Sequence, residues 1–226
     1  MADTILPTIA VLGGAGHEGS GLAARWAKAG YRVIIGSRLE ERAISAAQNL
    51  AAQSGGQVSG MDNRAAAAAG DIVVLAVPYA AQTALAEEVR NELLGKILID
   101  VTAPLVPPKV ARVQLPDGGS AVEALQKRLG SDVRVVAAFQ NVSAHQLADL
   151  DNPVECDVLV SGDDEAAREE VCQLARAIGI PAWQAGPLAN SAAAEALTSV
   201  LISINKRYKV ARGAGIRIVG PDVTSP

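Results

Sequence analysis

Aromatic side chains are scarce: one Phe, two Trp and three Tyr in 226 residues. A chain with no aromatic platform for stacking bases, and a net charge of −4, is not built for nucleic acid as its main partner. Cysteine is limited to Cys156 and Cys172, which form no C-x-x-C. A disulfide between them is one option; two buried free thiols in a cytosolic chain are the favoured one. His17 and His145 are the only histidines, and no cysteine clusters with them, which argues against structural zinc. No metal is expected. The apolar runs are strand-sized, too short to span a membrane. The opening MADTILPT lacks the basic region of a secretory leader, so a cytoplasmic location without a membrane partner is expected.

What is present is alternation. Half of the residues are apolar and alanine is abundant, which lets helices pack closely on a sheet. Strand-like runs occupy 9–12, 31–37, 71–78, 96–102, 133–139, 156–162 and 180–186, with a short one at 56–60. Helical stretches lie between them, at 19–29, 39–53, 63–70, 80–94, 121–130 and 163–179. The segment from Leu188 to about Arg212 reads as one or two further helices. Strands separated by helices imply right-handed crossovers and parallel pairing. The expected fold is α/β: a Rossmann-type, doubly wound, mostly parallel sheet with a small C-terminal helical extension. It is expected as one domain over 1–226. Residues 1–140 form the dinucleotide-binding core, and 141–226 extend the sheet and complete an acceptor cleft.

Between the first strand and the first helix stands LGGAGHEGSGLA, residues 12–23. Gly14-x-Gly16-x-x-Gly19 thus has the strand before it and the helix after it that a dinucleotide fingerprint requires. One glycine permits the tight turn, the second lets backbone approach a pyrophosphate, and the third lets the helix pack on the strand. Free amides and the helix dipole favour the anion.

The second strand ends in IIGSR. NAD-binding versions place a carboxylate there to hold the ribose hydroxyls. Here Ser37 and Arg38 stand instead, and Arg42 follows one helical turn later. A hydroxyl and guanidinium groups hold a 2′-phosphate that a carboxylate would repel. NADP is therefore expected over NAD; the competing view pairs Arg38 and Arg42 with Glu40 or Glu41. The polar candidates near other strand ends are Tyr79, Asp100, Thr102, Gln140, Asn141 and His145. Asp100 also fits a role in capping the loop that follows it. No triad or metal cluster appears among them. Hydride transfer between two cofactors needs none, because the cofactors carry the chemistry and the protein orients them. Residues 206–217 carry five basic side chains and no acid. Two readings stand there: a solvated helix end, or an anchor for a polyanionic ligand tail.

With these segments in hand the chain resembles the NADPH-dependent oxidoreductases of coenzyme F420, an 8-hydroxy-5-deazaflavin. LGGAGHEGSGLA, IIGSRLEERA, DIVVLAVPY, TAPLVPP, VVAAFQNVSA, SGDDEAA, AGPLANSAAAEALTSVLISIN and GAGIRI carry the resemblance nearly end to end. It implies a hydride passed between NADPH and the deazaflavin, in a homodimer. NADP would lie along Gly14, Ala15, Gly16, His17, Glu18 and Gly19, with Ser37, Arg38 and Arg42, and with the loop Ala76-Val77-Pro78. The deazaflavin would stack on the nicotinamide, held by the loop Gln140–Ser143 and by C-terminal residues. Thr102, Ala138, Gln140, Asn141 and Val142 complete the candidate set. Val77, Pro78 and Gln140 orient, and no residue is assigned to chemical catalysis. The chain departs from the family at Gln140 and Ser143, where members commonly carry His and Pro. A reductase for another acceptor, flavin or ferric iron, and a non-enzymatic NADP sensor are the alternatives.

Overall fold

Apolar runs of four and five residues set the sheet. The computed structural model describes residues 6–220. In chain order its elements are β1 (Ile9–Leu12), α1 (His17–Lys28), β2 (Val33–Ser37), α2 (Glu40–Ser54), β3 (Val58–Asp62) and α3 (Asn63–Ala69). Next come β4 (Ile72–Leu75), α4 (Tyr79–Glu88), β5 (Ile97–Asp100), α5 (Ala121–Leu129), β6 (Arg134–Ala137) and α6 (Ala144–Ala148). The last are β7 (Val158–Gly162), α7 (Glu165–Ala177), β8 (Ala182–Gln184) and α8 (Ser191–Tyr208).

The strand order is β3-β2-β1-β4-β5-β6-β7-β8. All neighbours run parallel except β6 and β7, which pair antiparallel through Val136↔Gly162 and Ala137↔Ser161. The α/β doubly wound sheet expected from the alternation is what forms. The strands read as continuous apolar runs because both faces are covered. Successive side chains alternate: Ile9 and Val11 enter the core beneath α1, while Ala10 and Leu12 enter the opposite core with Leu85 and Leu125. Between β1 and β4 the chain reverses its direction of travel across the sheet. That switch point opens a crevice at the strands' C-terminal ends.

Several boundaries differ from the sequence reading. α1 begins at His17 rather than Gly19, so its first turn reaches further into the glycine loop. The expected strand 71–78 stops at Leu75, because Ala76–Pro78 turns out of the sheet and Pro78 has no N–H to give a ladder. The C-terminal helix ends at Tyr208, not near Arg212. Lys209 takes a left-handed φ of 51°, and the chain turns again over 210–213, with the Gly213 amide donating to the Val210 carbonyl, before an irregular segment. The five-residue helix α6 was not expected. Cys156 and Cys172 are free and buried, which removes the disulfide option; burial raises their thiols to about 12 and about 11. Among the described residues, no helix is long and apolar enough to cross a membrane. Residues 1–5 and 221–226, the ends of the expected domain, lie outside the described ones.

Candidate functional site

The glycine loop divides its labour differently from the simple motif. The left-handed residue is Gly13, φ 80°, one position before the fingerprint. A side chain there would strike the Ala76 carbonyl and Val77. Gly14 and Gly19 are packing glycines. A Cβ on Gly14 would lie 2.9 Å from Ile35, and one on Gly19 would lie 3.0 Å from both Ala76 Cβ and Gly14 Cα. Gly16 differs: a Cβ there would meet only the Gly13 carbonyl, at 3.2 Å. Its open side faces outward, between exposed Ala15 and His17. Gly16 is also the N-cap of α1, and no side chain caps that helix. The first-turn amides are left for an anion to fill.

At the end of β2, Ser37 accepts a hydrogen bond from the Leu39 amide at 3.3 Å. That turn sends Arg38 into solvent. Arg38 and Arg42 are both exposed and, among the described residues, neither forms an ion pair with Glu40, Glu41 or any other acid. Beside them stands Asn63, which the sequence reading did not select. It is buried, its Oδ1 has no partner, and Gly36 keeps the space before it open, since a Cβ would come within 3.1 Å.

Across the switch point, Asp100 closes β5. It is fully buried, accepting from the Thr102 amide at 2.8 Å and from Gln82 Nε2 at 2.5 Å. The expected loop-capping role of Asp100 is what these bonds perform. Burial pushes its carboxyl up to about 6, against the pull of those donors. Glu18, on the first turn of α1, is pushed up to about 8, by burial first and by the Asp100 carboxylate second. Both influences favour the protonated, uncharged form of Glu18 on the first turn of α1. Ala76 and Val77 are half-buried and Pro78 is exposed at the mouth of the crevice.

The loop after β6 carries the largest correction. Ala138, Gln140, Asn141 and Val142 are all buried, as is Thr102. Val142 packs into the core with Trp26 and Leu147, so its side chain offers no platform to a ring. Gln140 Nε2 donates to the Asp100 carbonyl at 2.8 Å, and Asn141 Nδ2 donates to the Asp157 carbonyl at 2.9 Å. Both side chains build the loop and do not reach out of it. Ser143 and Ala144 are the partly exposed residues that follow. Phe139 takes a left-handed φ of 71°, which turns the chain sharply off β6. Among the described residues, the side-chain oxygens Gln140 Oε1 and Asn141 Oδ1 have no hydrogen-bond partner, and the Thr102 hydroxyl lies by the Asp100 carboxyl. His145 is exposed on α6.

The C-terminal segment holds this loop from outside. α8 presents a polar stripe at Ser191, Glu195, Thr198 and Ser199. Thr198 Oγ1 donates to the Gln140 carbonyl at 2.9 Å, and Ser199 Oγ donates to the Arg112 carbonyl at 3.3 Å. The buried Glu195 carboxylate accepts from Ser120 Oγ at 2.7 Å and the Ala121 amide at 2.8 Å, capping α5 from another helix. Past Tyr208 the chain crosses the loop. Gly213 and Gly215 press so closely on Ser143 and Cys156 that a Cβ on either would collide. Asp157 Oδ2 accepts from Trp183 Nε1 and from the Ile218 amide, each at 2.8 Å. The particular sequences AGPLANSAAAEALT and GAGIRI are thus the parts that brace the far wall of the crevice.

Residues 8–104 match the family model described as NADP oxidoreductase, coenzyme F420-dependent. The F420-dependent NADP reductase of Methanocaldococcus jannaschii is 42% identical over 224 residues, 95% of this chain and 99% of that one. The chain belongs to the coenzyme F420-dependent NADP oxidoreductase family. A crystal structure of a protein proposed to be an F420-dependent NADP reductase, from Arthrobacter sp. FB24, superposes with a TM-score of 0.78 at 26% identity. It covers 94% of this chain and 99% of that one. The metalloreductase STEAP3 of Rattus norvegicus is 30% identical over 84% of this chain, but the match spans only 36% of that protein. The likeness of this family member to F420 reductases is therefore end to end, whereas its likeness to a metalloreductase stops at one part.

Proposed function

We propose that the protein transfers hydride between NADPH and coenzyme F420. The observation that carries the reading is the pairing of two fits at one sheet edge. An uncapped helix end behind outward-facing Gly16, with unpaired Arg38 and Arg42 beyond it, suits NADP. Across the switch point, the loop that leaves β6 at the Phe139 turn, braced by its own Gln140 and Asn141 side chains, suits a second, planar ligand resting on its backbone. Gly14, Ala15, Gly16, His17, Glu18 and Gly19 would line the pyrophosphate, and Ser37, Arg38 and Arg42 would take the 2′-phosphate. Ala76, Val77 and Pro78 would lie by the nicotinamide. The deazaflavin would rest on backbone of the segment from Ala138 to Ala144 and near Thr102. When bound, the dihydronicotinamide would supply a hydride and the deazaflavin ring would take it up with a proton from solvent, leaving NADP+ and the reduced deazaflavin. The chain supplies stacking, orientation and exclusion of water. Residues 141–220 would complete the acceptor wall of a single domain.

A homodimer and a cytoplasmic location belong to the same reading. Exposed Val106, Val113 and Leu115 after β5, and Val200 on α8, supply apolar surface near the contact between Ser199 and Arg112. Two buried free thiols suit a reducing compartment.

The test is NADPH oxidation with F420, flavins and ferric salts offered in parallel, beside amide hydrogen exchange. Turnover with F420, and protection of amides 140–144 by F420 in the presence of NADP+, are expected. Turnover only with flavin or ferric iron, or tight NADPH binding with no turnover at all, would refute the reading. Sedimentation equilibrium is expected to give twice the monomer mass.

A further inference from the structure

We propose that Arg25 is a positioning residue for the acceptor, fixing the loop after β6 and helix α6 onto the same helix that receives the dinucleotide. This rests on the reading that the acceptor lies against residues 140–144. α6 has five residues, and a helix leaves its last four carbonyls without intrahelical partners. So short a helix is not stable by itself. Arg25 supplies what it lacks. Its Nε donates to the Leu147 carbonyl at 2.9 Å, and its Nη2 to the carbonyls of Gln146 at 2.8 Å and Asn152 at 3.0 Å, and also to that of Asp149. All four acceptors are backbone, and all lie more than a hundred residues away in the chain.

The grip extends along one face of α1. Gly21, one turn before Arg25, touches α6 so closely that a Cβ would stand 2.6 Å from Leu147 Cβ. Lys28, three residues after Arg25, donates from Nζ to the Leu150 carbonyl at 2.9 Å. Trp26 meets Phe139 edge to face, with ring centroids 5.8 Å apart. The acceptor loop is continuous with this clamp: Ser143 is the N-cap of α6, and the Leu147 amide donates to the Ser143 carbonyl at 3.0 Å. A displacement of α6 is therefore passed directly to residues 140–144. The first turn of α1 faces the pyrophosphate, while its middle turns set the height of the acceptor wall. One rigid helix fixes the spacing of the two reactants.

Arg25→Lys tests this, because an ammonium carries its donors on one nitrogen and cannot span the carbonyls that Nε and Nη2 reach from two separate atoms. Measured well below its melting temperature, the variant is expected to keep its NADPH affinity within about twofold, while its KM for F420 rises about tenfold or more. Gly21→Ala leaves the guanidinium in place and pushes α6 away one turn earlier on the same face of α1. The same split is expected, and this variant carries the test if Arg25→Lys does not fold. Unchanged F420 kinetics in a folded variant would reduce Arg25 to a structural cap and overturn the proposal. Equal losses for NADPH and F420 would also overturn it, since α1 would then have moved as a whole. Hydrogen exchange on the unaltered protein separates the two layers. Missing F420 protection at 140–144 defeats the underlying reading and the proposal with it. Protection there with normal variant kinetics defeats the proposal alone.

Discussion

Arg38→Ala should weaken NADPH binding far more than NADH binding. In the structure the Arg38 guanidinium is exposed and, among the described residues, has no carboxylate partner to give up when a phosphate arrives. The substitution therefore leaves no buried group stranded, and the loss equals the contact itself. A charge-assisted hydrogen bond is worth about 1.5–3 kcal/mol. Exposure to solvent and salt pulls that toward the lower end. The expected cost is about 1.5–2 kcal/mol, or about 10- to 30-fold in NADPH affinity. Arg42 stands one helical turn away with the same freedom, so the double variant should lose about 3 kcal/mol if the two contacts add. Titration calorimetry with NADPH and NADH on each variant gives the numbers, and the loss should shrink as ionic strength rises. Equal weakening for both nucleotides would refute the reasoning, because NADH carries no 2′-phosphate. A loss confined to Arg42→Ala would leave NADP selectivity intact but move it off β2.

Gly16→Val should abolish binding of both nucleotides while the protein stays folded, since Gly16 has open space on its outward side; micromolar NADPH binding by calorimetry would show that side is not the phosphate path. Glu18, raised to about 8, is neutral at pH 7, so NADPH affinity should fall as pH rises through about 8, and Glu18→Gln should flatten that profile. The same group also links to stability. Its folded pKa lies above its unfolded value of 4.5, so its contribution is fully present below that value and is lost as pH rises through about 8. Glu195→Gln should cost about 2–3 kcal/mol in denaturant unfolding, because the amide replaces an oxygen that accepts from the α5 amides and Ser120; a change below about 0.5 kcal/mol would contradict the cap.

The sheet and the phosphate end of the site were legible because each leaves a local mark. Ile9–Leu12 and Ile72–Leu75 are unbroken apolar runs, and Gly14, Gly16 and Gly19 stand at a fixed spacing between strand and helix. The acceptor end left weaker marks. α6 is too short for its period to show. Whether Gln140, Asn141 and Val142 face the crevice or the core depends on the turn at Phe139, and an aromatic residue gives no warning of a left-handed φ. Arg25 did carry a signal: a charge on the apolar stripe with Leu22 and Trp26. Its partners lie so far along the chain that no periodicity could name them. Glu195 was readable in the same way, since Ser191, Glu195, Thr198 and Ser199 make one polar stripe on a helix whose other residues as far as Ile202 are apolar.

Phe139 shows why that turn is built from a residue that resists it. A left-handed conformation costs a non-glycine residue about 1–2 kcal/mol. Glycine would remove the cost, yet it would also remove a ring that is completely buried and meets Trp26 at 85°. Burying such a side chain is worth about 1.5–3 kcal/mol, and an edge-to-face pair adds about 0.5–1.5 kcal/mol. The ring thus outweighs the strain, and glycine would also free the unfolded chain at this position. Trp26 in turn is fixed by its Nε1, which donates to the Leu174 carbonyl at 3.0 Å. The conformation of the acceptor loop is therefore determined by packing from α1 and α7. It does not rest on local preference, and it holds the Gln140 and Asn141 side chains on the Asp100 and Asp157 carbonyls before any ligand arrives.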